Sequence, residues 1–368
     1  MSLPHPKRML ACEIYPHLEK KLSGLATIAL HEMLKDTTLT KGMVIQHLVQ
    51  TFPHAGAAFA ELIGSNARLS LAQLEPIITP LRFTCLQGRI YEVRPELDRL
   101  LAHTDIGAQA PARYFRLPYP SMYMMFGAGG DGLEVVNELS GDTYTLEGAY
   151  LVELELGPDY PERTLFPDLR DNDPIRVCEI TLVGAPKRNP LDCGFVFARL
   201  MLPTQWGDRQ LQEILDQQLS AFKREGRSEL QARGAAALRA GVLHVAKTLL
   251  YLNSEQVRIA QVFDEKALRE RLARVKGGKR GKLERQLERV YDRIMVGPET
   301  DSLQPLTRAL GPHVRSHWRR GHFRNQPFGE DRMQRKLIWI QPTLVGAHEL
   351  ASSNDAAATA PSKDFVIK

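Results

Sequence analysis

The sequence has little cysteine and does not group what it has. Cys12, Cys85, Cys178 and Cys193 are the only four, and no two form a CxxC pair. That excludes a zinc-ribbon or zinc-finger site and a disulfide-stapled scaffold, and the thiols are expected to be reduced, as in a cytoplasmic protein. No run of about eighteen uninterrupted apolar residues occurs. The start, MSLPHPKRML, lacks the apolar core of a signal peptide, so neither a leader nor a membrane span is expected. One more absence is local. From Gly311 to Gly329, GPHVRSHWRRGHFRNQPFG, there is no acidic side chain, although three histidines and four arginines crowd the stretch.

What is present is a globular balance, 43% hydrophobic and 25% charged over 368 residues, enough for two or three packed units. The net charge of +5 is unevenly placed. Between Lys266 and Lys336 nineteen Lys or Arg face eight Asp or Glu, a local +11, so the rest of the chain carries −6. Such asymmetry points to an anionic partner for the basic part.

Hydropathy patterning divides the chain into five stretches. Residues 1–110 read as helices, with apolar residues at helical spacing over Leu18 to Lys35 and Lys41 to Ile63, and with Pro76 and Pro80 as punctuation. TLTKGMVIQHLVQTF has the form of a helix-turn-helix opening or a plain helical hairpin. Residues 111–262 change period. SMYMMF, GAYLVELELG, PIRVCEITLVG and GFVFARLML are short strands separated by turn material, which predicts an antiparallel meander of four or five strands. Glu153 and Glu155 alternate with Val152, Leu154 and Leu156, so that strand should have a wet face. GAGGDG lacks the lysine of a phosphate loop and reads as a hairpin loop. Leu211 to Phe222 and Ala235 to Leu252 are helices, the second apolar enough to be buried on the sheet. Residues 263–310 form a basic helical hairpin, its second apolar stripe running from Leu283 through Leu287, Val290 and Tyr291 to Ile294. KGGKRGK makes the turn, presenting Lys276, Lys279, Arg280 and Lys282 to solvent or to phosphates. Residues 311–346 hold the His/Arg motif, and 347–368 have the composition of a disordered tail. The class is α+β.

In the motif, His313, Arg315, His317 and Arg319 sit two apart and share one face of a strand. Gly321 permits a bend, through a positive φ if the bend needs one. His322 and Arg324 then repeat the step, and KLIWIQP supplies a second strand. The result is a curled β-ribbon with a cationic face and an aromatic back anchored by Trp318 and Trp339. Zinc is disfavoured, because no cysteine or carboxylate joins His313, His317 and His322 and the arginines repel a dication. No metal and no cofactor is expected. General acid–base chemistry by these histidines on a phosphodiester, binding of RNA by Arg315, Arg319, Arg320 and Arg324, and simple packing all remain open.

PHVRSHWRRGHFRNQPFG followed by KLIWIQPTLVG resembles the C-terminal signature of the type V-A anti-CRISPR family of phages, plasmids and other mobile elements. Pro312, His313, Arg315, Arg319, Arg320, Gly321, His322, Phe323, Gly329, Trp339 and Pro342 match it. The residues between Arg315 and Arg319 depart from it by separating two arginine clusters. The likeness is specific over Pro312 to Gly346 and looser from Tyr114 onward. FRLPYPSMYMMF and AGVLHVAKTLLYLNS resemble the family's proline-containing approach to the sheet and its apolar helix. The resemblance implies a cytoplasmic inhibitor of effector biosynthesis in a bacterial host. Such a protein recognises the effector's N-terminal nascent polypeptide, promotes loss of its mRNA and faces the ribosome or mRNA with its basic part. An extended peptide is then expected by strand addition or in a groove near Tyr119, Tyr123 and Phe126. An RNase and a DNA-binding regulator are the alternatives.

Overall fold

Six helices come first: α1 (His5–Leu10), α2 (Ile14–Lys21), α3 (Gly24–Lys35), α4 (Lys41–Thr51), α5 (Pro53–Leu62) and α6 (Leu71–Cys85). The two long helical stretches expected from periodicity are each broken. Ser23 caps α3, its hydroxyl accepting from Ala26 N at 3.3 Å, and α4 ends at Thr51, with Phe52 alone before Pro53 opens α5. Pro76 and Pro80 lie inside α6 instead of ending it. Leu18, Leu30, Leu34, Leu48, Phe59 and Ile78 give these helices a core of their own. This computed structural model describes residues 3–62, 71–126, 132–137, 140–157, 173–187, 193–220, 229–275, 279–299 and 317–345, together with 160, 163, 166 and 169. The GAGGDG turn up to Asp131, Phe222, and the tail from 346 lie outside them.

The sheet follows. Strands β1 (Arg89–Val93), β2 (Thr104–Gln109), β3 (Ser121–Met125), β4 (Glu134–Val136), β5 (Thr143–Leu156), β6 (Ile175–Gly184) and β7 (Phe195–Pro203) are joined by α7 (Pro95–Ala102) between β1 and β2. Then come α8 (Leu211–Ser220), α9 (Glu229–Leu252), β8 (Ile259–Val262), α10 (Asp264–Arg274), α11 (Arg280–Leu287) and β9 (Arg293–Val296). Strands β10 (His317–Arg319), β11 (Gly321–Phe328), β12 (Gln334–Ile340) and β13 (Thr343–Val345) close the described chain.

The main sheet runs β7-β6-β5-β3-β1-β9-β8. The expected antiparallel meander is its β3-β5-β6-β7 half, but β1 runs parallel to both β3 and β9. The class is α+β, and the sheet is mixed, which corrects the purely antiparallel expectation. Two short segments make the difference. RIYEV lay in a region read as helical and is too short to declare a period. RIMV was read as the end of a helix from Leu283, yet α11 stops at Leu287, and Tyr291, Ile294 and Val296 are buried against the sheet.

Both faces of the sheet are covered. On one, Leu151, Ile180 and Leu200 meet Val242, Val245 and Leu249 of α9. Gly241 lets α9 come close, since a Cβ there would run into Leu182. Helix α9 is long and apolar enough to cross a membrane by length and composition, but here it is a core helix, with eleven of its residues buried. On the other face Tyr123, Tyr150 and Val183 meet Phe83 of α6. That second cover explains why β5 is buried on both sides through its middle and wet only at its end, where Glu153 is half-buried and Glu155 exposed.

The helices reach the second face through charges as well as apolar contact. Lys41 at the start of α4 donates to Glu75 Oε2 (2.6 Å), Thr79 Oγ1 (2.9 Å) and Thr181 Oγ1 on β6 (3.2 Å), and lies 4.3 Å from the centre of the Phe197 ring. Arg82 donates to the Asp36 and Leu39 carbonyls and, with Arg199, flanks Glu179 of β6. Burial pulls the Arg82 guanidinium below its ordinary pKa, against the opposing pull of Glu179. The start of α4, the segment that a DNA-reading helix would expose, is therefore occupied inside the protein. Removing one partner of such a set strands the others. Glu179→Ala is expected to cost about 3–5 kcal/mol, read as a lower urea midpoint at unchanged slope. A loss within experimental error would show that the cations rearrange freely.

Candidate functional site

The His/Arg motif folds as a hairpin. β11 pairs antiparallel with β12, from His322 opposite Ile340 to Phe328 opposite Gln334, and on its other side parallel with β2. Alternation does the sorting. Phe323, Leu337 and Trp339 point into the main core, while His322 and Arg324 stand in solvent. Trp339 anchors the ribbon. Its ring stacks on Phe323 (6.4 Å between centroids, 22°) and meets Tyr251 of α9 edge-on, its indole N–H donates to Thr104 Oγ1 at 3.3 Å, and its backbone N–H donates to Gln256 Oε1 at 2.9 Å. Gly321 does not have a positive φ. Its role is close approach: a Cβ would stand 2.7 Å from the Ile340 carbonyl oxygen and from Pro342.

Arg319 and Arg320 are exposed just before β11. Arg320 pairs with Asp105 of β2 at 2.8 Å, both side chains open to solvent. Beneath them lies a residue that no motif marks. Lys247, on α9, donates to the Leu101 carbonyl at 2.8 Å. Burial lowers its pKa to about 8, with Asp105 pulling upward and Arg320 downward. The signal was available, as a lone lysine between Ala246 and Thr248 in an otherwise apolar run. His313 and Arg315 lie outside the described residues, and His317 and Trp318 are described in backbone only, in β10 against β13. Among the described residues no cluster of three metal-ligating side chains occurs.

The basic hairpin exists as α10 and α11. Lys276 lies outside the described residues. Lys279 and Lys282 are exposed, and Arg280, no longer on a turn, opens α11 and pairs with Glu284 at 2.9 Å.

Of the three aromatics expected to meet a peptide, Tyr123 and Phe126 are buried in the core. Burial pushes the Tyr123 hydroxyl well up in pKa, and that hydroxyl donates to Glu147 Oε1 at 3.2 Å. Strand addition on β3 is ruled out because β3 is paired on both sides, by β1 and β5. Tyr119 is 40% exposed. It lines a cleft of about 400 Å³ with Thr37, Arg116 to Pro120, Glu153 to Glu155, Pro174, Arg176 and Thr204. Within it Arg176 holds Glu153 at 3.0 Å.

Residues 91–347 match the family model described as AcrVA2-like, anti-CRISPR type V subtype A2. The span runs from β1 through β13 and takes in both the cleft strands and the ribbon, so the protein is of the anti-CRISPR class. It belongs to the anti-CRISPR type V subtype A2 family. Among solved structures it is similar to the crystal structure of AcrVA2, at 14% identity and a TM-score of 0.48, over 94% of this chain and 100% of that one. No curated protein matches it. Membership implies an interaction with a component of a CRISPR system.

Two expectations follow from the geometry. Gly321→Ala should destabilise by about 1–3 kcal/mol, seen in chemical denaturation, since backbone and a proline ring, not a flexible side chain, must yield. In a lysine side-chain NMR titration Lys247 should titrate near pH 8. Arg320→Ala should move that midpoint up by removing a repelling cation, and Asp105→Asn should move it down. Shifts of the opposite sign would refute the placement.

Proposed function

We propose that the protein lowers production of a type V-A CRISPR effector in the bacterial cytoplasm. It recognises the effector's N-terminal polypeptide as it is synthesised and promotes loss of the encoding mRNA. The observation that carries this reading is the exposed cationic face of Arg319, Arg320, His322 and Arg324, held rigid from behind by Phe323 and Trp339. Guanidinium forks on a fixed strand suit phosphates of RNA or of a ribosomal surface. Peptide recognition falls to the cleft at Tyr119, a separate surface with charges of both signs. Lys279 and Lys282 extend the cationic character onto the helical hairpin. His322 between Arg320 and Arg324 also suits an acid–base role on a phosphodiester, which is the second reading.

The double variant Arg319→Ala with Arg320→Ala should keep its fold, because an exposed pair such as Arg320–Asp105 contributes only about 0–1 kcal/mol. It should still cross-link to the effector peptide, yet fail to lower target mRNA in cells. Full activity in the well-folded double variant would reject the phosphate-facing role. Under the second reading, His322→Ala alone abolishes mRNA loss while RNA association persists.

A further inference from the structure

The solvent side of the ribbon holds more than charge. Directly opposed residues of an antiparallel pair share a face. The face that carries His322 and Arg324 therefore continues through Gln326 to Phe328 on β11, with Ile338 opposite Arg324 and Lys336 opposite Gln326 on β12. His322 and Phe328 lie six residues apart, roughly 20 Å at the rise of a strand. The core side of the ribbon is filled by Phe323, Leu337 and Trp339, yet Phe328 lies on the other side and is 37% exposed. The Lys336 ammonium stands 5.0 Å from the centre of its ring.

No residue of β11 or β12 is acidic. Of the carboxylates at the margins, Asp105 is taken by Arg320 and Glu255 by Lys336, while Glu330 and Asp331 lie in the turn beyond Phe328. Arg319 and Arg324 have no hydrogen bond or ion pair among the described residues. Positive charge is thus spread over the length of the face, from Arg319 and Arg320 through Arg324 to Lys336. Side chains that stack on bases or bond their edges, His322, Gln326 and Phe328, are interleaved with it. An acidic peptide would meet the cations and leave the ring and the amide unused. Duplex RNA hides its base faces, and its deep, narrow major groove does not admit side chains. A single strand uses both sets, phosphates on the cations and a base on the ring.

We propose that the solvent face of the ribbon is a platform for single-stranded RNA, holding about three nucleotides as other strand-binding sheets do. One base stacks on Phe328, a phosphate beside it meets Lys336, and the backbone runs past Arg324 to Arg319 and Arg320. The proposal rests on the phosphate-facing reading above and names the form of nucleic acid and the way it is held. A platform of this kind engages a message only where the message is unpaired. Its preference among sequences is weak, because every base has a face that can stack.

The test uses the full-length protein and a short fluorescent RNA of mixed sequence, offered as a single strand and annealed to its complement, with anisotropy read across a salt series. The single strand should bind more tightly than the duplex. Phe328→Ala should weaken single-strand binding by roughly five- to a hundredfold, the worth of one stacked base, at an unchanged salt slope, and Phe328→Trp should restore it. Arg324→Ala should instead lower the slope by about 0.7, one phosphate contact. Melting temperatures establish that each variant is folded. Equal binding of the two RNA forms, or full affinity in folded Phe328→Ala protein, overturns the platform and leaves the phosphate-facing reading standing. Binding to ribosomes without binding to naked RNA does the same. A polyglutamate peptide held as tightly as the single strand would point to an acidic protein partner and overturn the platform too. Binding to neither RNA nor ribosomes overturns both.

Discussion

The architecture depends on a group of charges out of reach of water. Lys41, Glu75, Arg82 and Glu179 are each buried to within a few per cent, and Arg199 reaches in from the rim. Moving such ions from water into protein costs several kcal/mol each, and they return it only if all partners are present in the right geometry. That condition makes the group a specificity device more than a source of stability. Lys41 and Glu75 belong to the helices, Glu179 and Thr181 to β6 and Arg199 to β7. No sliding of the helical layer over the sheet keeps every bond. Apolar contact alone, such as Phe83 on Tyr150, would tolerate a small displacement; the lysine would not.

A second anchor fixes the same layer at its other end. Arg8 of α1 forks onto Glu147 of β5, at 2.9 and 2.6 Å, and His5 shares a 2.7 Å hydrogen bond with Tyr150. Burial and the nearby Arg8 charge lower the His5 pKa to about 3, so the imidazole is neutral at any physiological pH. The first helix is thus held to the longest strand by one paired charge and one neutral ring. Neither resembles a catalytic arrangement open to solvent.

Where a residue's environment is set by its immediate neighbours, the sequence could be read. The ribbon is the best case: period-two alternation put Phe323 and Trp339 inside and His322 and Arg324 outside, and so they lie. The meander and the buried helix from Ala235 were legible for the same reason. Long-range pairing was not. RIYEV and RIMV become strands because each finds the other, about two hundred residues apart in sequence, and no local pattern records that. Tyr123 and Phe126, expected near a bound peptide, are buried from opposite faces of the sheet, Tyr123 under Phe83 of α6 and Phe126 against His244 of α9, and neither helix's docking is written in the strand's own pattern. The constraint on Gly321 comes from Ile340 and Pro342 across the hairpin, not from a bend of its own.

The same long-range logic bears on what the cleft at Tyr119 is built from. The family match begins at Tyr91, at β1, which leaves α1 to α6 outside it. Those helices are nevertheless no detachable appendage. The loop after α3 carries Thr37, whose carbonyl takes the Glu155 N–H, and Thr37 forms one wall of the cleft at Tyr119. Four residues on, Lys41 is locked into the buried charges, and Arg82 grips the carbonyls of Asp36 and Leu39 on either side of Thr37 and Thr38. The wall is therefore as rigid as the ion network behind it. Loosening the network, at Glu179 or Lys41, would reach the cleft through a loop five residues long without touching a residue that lines it. The helical part supplies one wall of the cleft through Thr37, and the matched region supplies the rest, from Arg116 to Pro120 and from Glu153 to Glu155.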